Sequence, residues 1–304
     1  MKKILTLLIG LLLQPSFAHA EEALFYFENE RGHVGVRSGS GKVLIAPQFS
    51  NVVVYDYDKP IAGQTIELLT RAREFQPAQA FDQYRPATPA GEVYDRRGRL
   101  LYRPQVDDNG MDEWSEGLRR YVENGKIGFV DRAGNKVLPA EWTFATPFQY
   151  GYAEVMTGNW RKRFDASGEH WSLEAADSRA ESHLIDRQGR RVRPLPQQQS
   201  GQDYFYQGKY YPRPSVYFAY NEQERKLLAT IAADKRVHRH MGVSDGLVFE
   251  ITERPREDFP YDTVQAFYRQ NGAIGHKSSG ILFADSNGEL YRNDWEAGGI
   301  IPLD

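Results

Sequence analysis

The 304-residue chain contains no cysteine. That absence excludes disulfides, thiolate catalysis and cysteine-ligated zinc, and with them the lipid-bearing cysteine of a bacterial lipoprotein. Long apolar runs are almost as scarce. Only Ile4–Leu13 stands out, and it is too short to span a bilayer. A dominant charge is also lacking: the formal net charge is −3, and the basic residues are scattered along the chain, in pairs such as Arg96-Arg97 and Arg190-Arg191. Such a balance argues against nucleic acid or an anionic membrane as the main partner. No glycine-rich phosphate cradle opens a helix, and no Gly-x-Ser-x-Gly elbow leads into one. Gly39-Ser40-Gly41, preceded by Ser38, reads as a turn.

What is present begins with an address. Lys2 and Lys3 precede the apolar run, Gln14-Pro15-Ser16 ends it, and Ala18-His19-Ala20 supplies the small residues of a cleavage site. This is the three-part pattern of a secretory signal. Residues 1–20 are expected to be a signal peptide cut between Ala20 and Glu21, placing the mature chain in the bacterial periplasm or outside the cell. What remains is long enough to bury a core without crosslinks.

A recurring turn organises the rest. An apolar residue, Asp, two residues and Gly appear at Tyr94-Asp95 to Gly98, Val130-Asp131 to Gly134, Phe164-Asp165 to Gly168 and Ile185-Asp186 to Gly189, with a weaker copy at Ala284-Asp285 to Gly288. Asp at the first position can accept backbone N–H bonds from two residues on, and Gly at the fourth supplies positive φ, as in a hairpin built on a type I turn. Val106-Asp107 to Gly110 has the spacing but not the strand-like flanks. A second landmark, Trp114-Ser115-Glu116-Gly117-Leu118 and Phe148-Gln149-Tyr150-Gly151-Tyr152, repeats with it. Gly117 to Gly151 and Asp131 to Asp165 are both 34 positions, a period typical of repeat arrays.

The run Gly117-Leu118, Lys126-Ile127-Gly128-Phe129-Val130-Asp131, Gly134, Lys136-Val137-Leu138-Pro139 and Trp142 resembles one unit of the WG-repeat proteins. His33-Val34-Gly35-Val36 followed by Gly41-Lys42-Val43-Leu44-Ile45-Ala46-Pro47-Gln48-Phe49 is similar to another. The eponymous Trp is replaced by Val34 and by Ile127. The unit opening at Gly151 is degenerate, with Arg161-Lys162 where the motif's strand belongs and an apparent insertion over 171–183. The resemblance covers about 31–50 and 92–195. It implies an all-β array and says almost nothing about a ligand.

Short strands that cannot bury an apolar face alone must stack to make a core, in a solenoid-like or a propeller-like array. The expected organisation is a β-repeat region over 21–195, a linker over 196–203, and a mostly β region over 204–304. In that last region Ser215–Tyr220, Leu247–Thr252 and Ile281–Tyr291 read as strands, and a short helix is expected within Asn221–Lys235.

Three sets of residues could carry chemistry. His238 and His240 would share a face of a strand and could approach a metal with Asp245, but a solvated basic strand end is the simpler reading. Asp107-Asp108-Asn109 with Asp112 and Glu113 is acidic enough for calcium but lacks the ordered spacing of a calcium loop. Aromatics are the third set, with 18 tyrosines, 16 phenylalanines and 5 tryptophans. Tyr204, Phe205, Tyr206, Tyr210 and Tyr211, continuing to Tyr217, Phe218 and Tyr220, are dense enough to form either a core or a binding surface. No cofactor is expected. The favoured function is a non-catalytic surface binding a protein or a cell-envelope glycan. The alternatives are an envelope glycan or peptidoglycan hydrolase using paired carboxylates, which sequence spacing cannot locate, and a structural envelope component.

Overall fold

The computed structural model describes residues 22–51, 55–70, 89–107, 110–167, 171–243, 246–294 and 299–304. The signal-like residues 1–20 with Glu21, and Asp108, Asn109, Gly168 and Asp245, lie outside the described residues. The chain is an all-β repeat-like protein with two short helices.

Three-stranded antiparallel units follow one another. The first holds β1 (Leu24–Glu28), β2 (Val34–Ser38) and β3 (Val43–Phe49). The second holds β4 (Thr65–Leu69), β5 (Gly91–Asp95) and β6 (Leu100–Tyr102). After a ribbon of β7 (Val106–Asp107) and β8 (Gly110–Met111) comes the third, with β9 (Leu118–Glu123), β10 (Lys126–Asp131) and β11 (Lys136–Trp142). In each unit the Ser- or Asp-led turn joins the second strand to the third.

The unit's glycine has a steric cause. Ile127 faces Trp142 and Phe129 faces Leu138, so β11 carries two residues more than β10 across this interval. β2 and β3 show the same excess, with Val34 facing Phe49 and Val36 facing Ile45. The doubled strand folds back over the residue between. A Cβ on Gly128 would stand 2.6 Å from the Leu138 carbonyl oxygen, and one on Gly35 2.6 Å from that of Ile45. The resembled motif therefore survives at its glycine and varies at the neighbouring Trp position, where Val34 and Ile127 are fully buried in the cores of their units.

The fourth unit corrects the period. Its first two strands are β13 (Tyr152–Thr157) and β16 (Glu181–Asp186), with β12 (Phe144–Ala145) on the outer side of β13. Between them is inserted a separate hairpin, β14 (Trp160–Phe164) with β15 (Trp171–Ala175). Asp165 therefore lies at the tip of the insertion, and the equivalent of Asp131 is Asp186. The insertion starts earlier than expected, and the 34-residue step from Asp131 to Asp165 is accidental. The other 34-residue step is structural. Glu116-Gly117 and Tyr150-Gly151 are two-residue turns with both φ values positive, each entering the first strand of its unit.

Successive units are joined in two ways. The chain leaving one unit bonds to the first strand of the next, through Ser50 N–H to Leu69 O (2.9 Å), Gln105 N–H to Arg120 O (3.1 Å) and Thr143 N–H to Met156 O (2.7 Å). The turn glycine also seats on a third-strand leucine of the preceding unit. A Cβ would lie 3.1 Å from Leu44 at Gly98, 2.7 Å from Leu101 at Gly134 and 3.2 Å from Leu138 at Gly189.

The C-terminal region is one seven-stranded sheet with β17 (Tyr204–Tyr206), β18 (Lys209–Tyr211), β19 (Leu247–Glu253), β20 (Asp262–Gln270), β21 (Ala273–Ala284), β22 (Leu290–Asp294) and β23 (Gly299–Pro302). Helix α1 (Glu222–Ala233) starts at an Asn221–Glu224 capping box, and α2 (Lys235–Met241) follows directly. Ile231 and Val237 enter a core with Phe249, Ile251, Val264 and Leu282. Ser215–Tyr220, expected as a strand, is a turn segment following Pro214, whose carbonyl accepts from Tyr217 and Phe218 N–H. The stretch 196–203, expected as a linker, is packed. The buried Asp203 accepts from Gln199 and Ser200 N–H at 2.7 and 2.8 Å, and Gln198 Nε2 donates to Gly272 O at 2.8 Å. A shared aromatic core of Tyr150, Tyr152 and Leu184 with Tyr204, Tyr211, Phe218, Phe267 and Ile274 joins this sheet to the fourth unit. Phe218 and Phe267, fully buried there, each contribute about 1.5–3 kcal/mol.

Candidate functional site

The residues singled out in the sequence fall into place as follows. In each of the Asp95, Asp131 and Asp186 turns, Oδ1 accepts backbone N–H bonds from two and four residues on, at 2.8–3.0 Å, and the glycine (Gly98, Gly134, Gly189) donates to the Asp carbonyl. Asp165 makes the first of these bonds, to Ser167 N–H at 3.0 Å. The carboxylates are turn caps. His238 and His240 lie on α2 and not on a strand, so a two-residue step turns them away from a common face. His238 Nε2 bonds to Ala232 O at 2.8 Å. Asp112 is buried against Arg120, which turns that member of the acidic loop inward. Among the described residues no group of three His, Asp or Glu could hold a metal.

The tyrosine-rich segment is core and not an open patch. Tyr204 and Tyr211 are buried, and Tyr206 and Tyr210 are half-buried. The physical reason is the junction they fill: Tyr150 stacks on Tyr204 at 5.5 Å, Tyr204 stacks on Tyr206 at 5.9 Å, and Tyr206 OH donates to Glu154 at 2.7 Å.

What the structure opens to solvent beside that junction is a groove of about 670 Å³. One wall is the Asp186 turn and the strand-like segment after it, and the other is the Pro212–Tyr217 segment with Arg254 from the end of β19. Six arginines line it: Arg187, Arg190, Arg191, Arg193, Arg213 and Arg254. Asp186 is the one carboxylate among the lining residues, and it is occupied by its turn. Five of the six have carboxylate neighbours: Arg187 with Glu116 at 3.8 Å, Arg190 with Asp186 at 2.7 Å, Arg191 with Glu181, Arg213 with Glu250 at 3.1 Å and Arg254 with Glu224 at 2.6 Å. Arg213 also donates to Phe218 O, Arg254 to Ala219 O and Arg190 to Gln188 Oε1. A guanidinium has five N–H donors, so these bonds still leave others for a ligand.

Arg187 is the most constrained. Its guanidinium lies over the Tyr217 ring, 4.3 Å from the centroid, and its buried Nη1 has no hydrogen bond, standing 3.8 Å from Glu116 Oε2. Glu116 is itself buried, accepts from Gly151 N–H at 2.9 Å, and has its other oxygen unbonded. Burial pushes its carboxyl up to about 7 against the pull of Arg187. Glu250 supports the other wall: Tyr220 OH donates to it at 2.6 Å and Arg213 Nη2 at 3.1 Å, and burial pushes its carboxyl up as well. Both glutamates are enclosed beneath the groove and positioned by these bonds.

None of these arginines was singled out as a site in the sequence, where only the pair Arg190-Arg191 was noted. The available signal was density, with Arg187, Arg190, Arg191 and Arg193 falling within seven residues. A second cleft of about 450 Å³ involves Trp114, Glu67, Arg132, Arg256, Glu257 and Asp258, a mixture of signs, and Arg119 and Arg132 both lie against the Trp114 ring.

The WG containing repeat matches residues 127–159, from the second strand of the third unit through the first strand of the fourth, ending where the inserted hairpin begins. No curated protein and no solved structure matches the chain.

Proposed function

For a chain that carries the WG repeat, we propose an exported, non-catalytic binding protein of the bacterial envelope whose arginine groove holds an acidic segment of a partner protein. The observation that carries this reading is the convergence of six arginines on one groove in a chain whose net charge is −3. Arginine recognises carboxylates by paired N–H bonds, and it is enriched at protein interfaces. Val216, 82% exposed between the groove's prolines and Tyr217, offers an apolar contact that a polypeptide side chain can meet and a sugar chain meets poorly. Export rests on the N-terminal charge, apolar run and Ala-x-Ala pattern. A hydrolase would need two carboxylates open to one cleft. Glu116 and Glu250 are closed off and bonded, which weighs against that alternative at this groove.

Titration calorimetry at low salt with an end-blocked decaglutamate tests the reading. The expected result is saturable binding that weakens as salt rises, falls at least tenfold in Arg190→Glu/Arg193→Glu, and does not occur with decalysine. Both substituted side chains are exposed, so circular dichroism should be unchanged. Absence of decaglutamate binding, or binding indifferent to the charge reversal, overturns the reading. So does tighter binding of an oligogalacturonate of equal charge.

A further inference from the structure

The basic lining does not end at the groove. Arg191, Val192 and Arg193 also wall a second cavity of about 300 Å³, completed by Ser182, His183, Lys209 and Tyr211. The shared wall is fixed at both ends. Val192 N–H donates to Leu184 O at 2.8 Å and Leu195 N–H to Tyr210 O at 2.7 Å, so the segment lies between β16 and β18 as a pinned ribbon. Arg193 and Lys209 have no ion pair among the described residues, and His183 Nδ1 is buried without a hydrogen bond. Burial and Arg191 push the His183 imidazole down.

We propose that the two cavities form one continuous track, and that the ligand is an extended polypeptide with several carboxylates, running from Arg187 and Arg254 across the Arg191–Arg193 ribbon to Lys209 and His183. This deepens the acidic-partner reading and rests on it. From His183 to Arg187, along β16 and one residue into the turn beyond it, is four residue steps, at most about 13 Å, so a ligand of three residues covers one cavity and a ligand of six reaches both. A compact anion would use either cavity alone.

The test compares end-blocked tri-, hexa- and dodecaglutamate on the intact protein and on Lys209→Glu, with Lys42→Glu as the same charge change on the exposed turn of the first unit. The track predicts at least tenfold tighter binding of the hexamer than of the trimer. It also predicts a several-fold loss for the two longer ligands in Lys209→Glu with the trimer unchanged, and no such split in Lys42→Glu. Equal loss at every length, or no loss in Lys209→Glu, overturns the track while leaving the groove as the acidic-ligand site. Failure of all three lengths to bind overturns the reading beneath it.

Discussion

Two turns with the same chemistry behave differently in the two halves of the molecule. At Asp131 and at Asp285 the carboxylate accepts from backbone N–H groups two and four residues on, at 2.9–3.0 Å, and the glycine has φ of 83° in one and 81° in the other. In the array, a Cβ on Gly134 would strike Leu101 of the preceding unit at 2.7 Å, whereas one on Gly288 in the C-terminal sheet would meet nothing within 4 Å. The turn is thus a local device, and stacking is a property of the leucine that receives it. Asp-x-x-Gly alone marks a hairpin. Only with a third-strand leucine one unit earlier does it mark an array.

The comparison sharpens first at the ion pairs. Arg120 and Asp112 are buried together, and Arg120 Nη1 also reaches Ala145 O at 2.9 Å, tying the third unit to the fourth. Asp112→Ala leaves a buried guanidinium unpaired and should cost about 3–5 kcal/mol. Asp294→Ala, removing the partner of Arg292 from a pair more exposed than Arg120–Asp112, should cost under about 1 kcal/mol. Urea midpoints distinguish the two.

The glycines come next. Gly134→Ala combines backbone strain with a clash and should cost about 2–4 kcal/mol, against about 1 kcal/mol for Gly288→Ala. Leu101→Ala should relieve part of the first and none of the second, measured as a double-mutant cycle. Equal costs would separate the turn glycine from stacking.

The pH response of the junction between the halves is of similar size. The folded chain holds the Glu116 proton more tightly than the unfolded chain, because burial raises its carboxyl to about 7. Its contribution to stability is therefore full below the ordinary carboxylate range and lost as pH rises through about 7. Between pH 5 and 8 the loss should be about 2–3 kcal/mol, and Glu116→Gln should flatten it. The smallest difference is expected at the caps, where Asp131→Ala and Asp285→Ala should lower the urea midpoint by similar small amounts.

Much of this fold was legible because it depends on near neighbours. Turn aspartates, two-residue X-Gly turns and alternating flanks are set within a few residues, and so is the Asn221–Glu224 cap of α1. What was not legible depends on distance. The Asp165 copy has the right letters at the tip of an inserted hairpin. Ser215–Tyr220 alternates like a strand, yet its tyrosines are drawn into the junction with the fourth unit. The tyrosines of 204–211 looked available because nothing in the sequence says that Tyr150 and Tyr152 will cover them. The same folding gathers arginines whose chain positions, from 187 to 254, make them look scattered.

Hydrogen exchange of the dodecaglutamate complex tests most directly the claim that an acidic chain lies along the arginine track. Protection should appear over 182–193 and 209–217 and near Arg254, with none gained around Trp114 and Arg256. Protection confined to the Trp114 cleft, or spread evenly over the surface, would contradict the account.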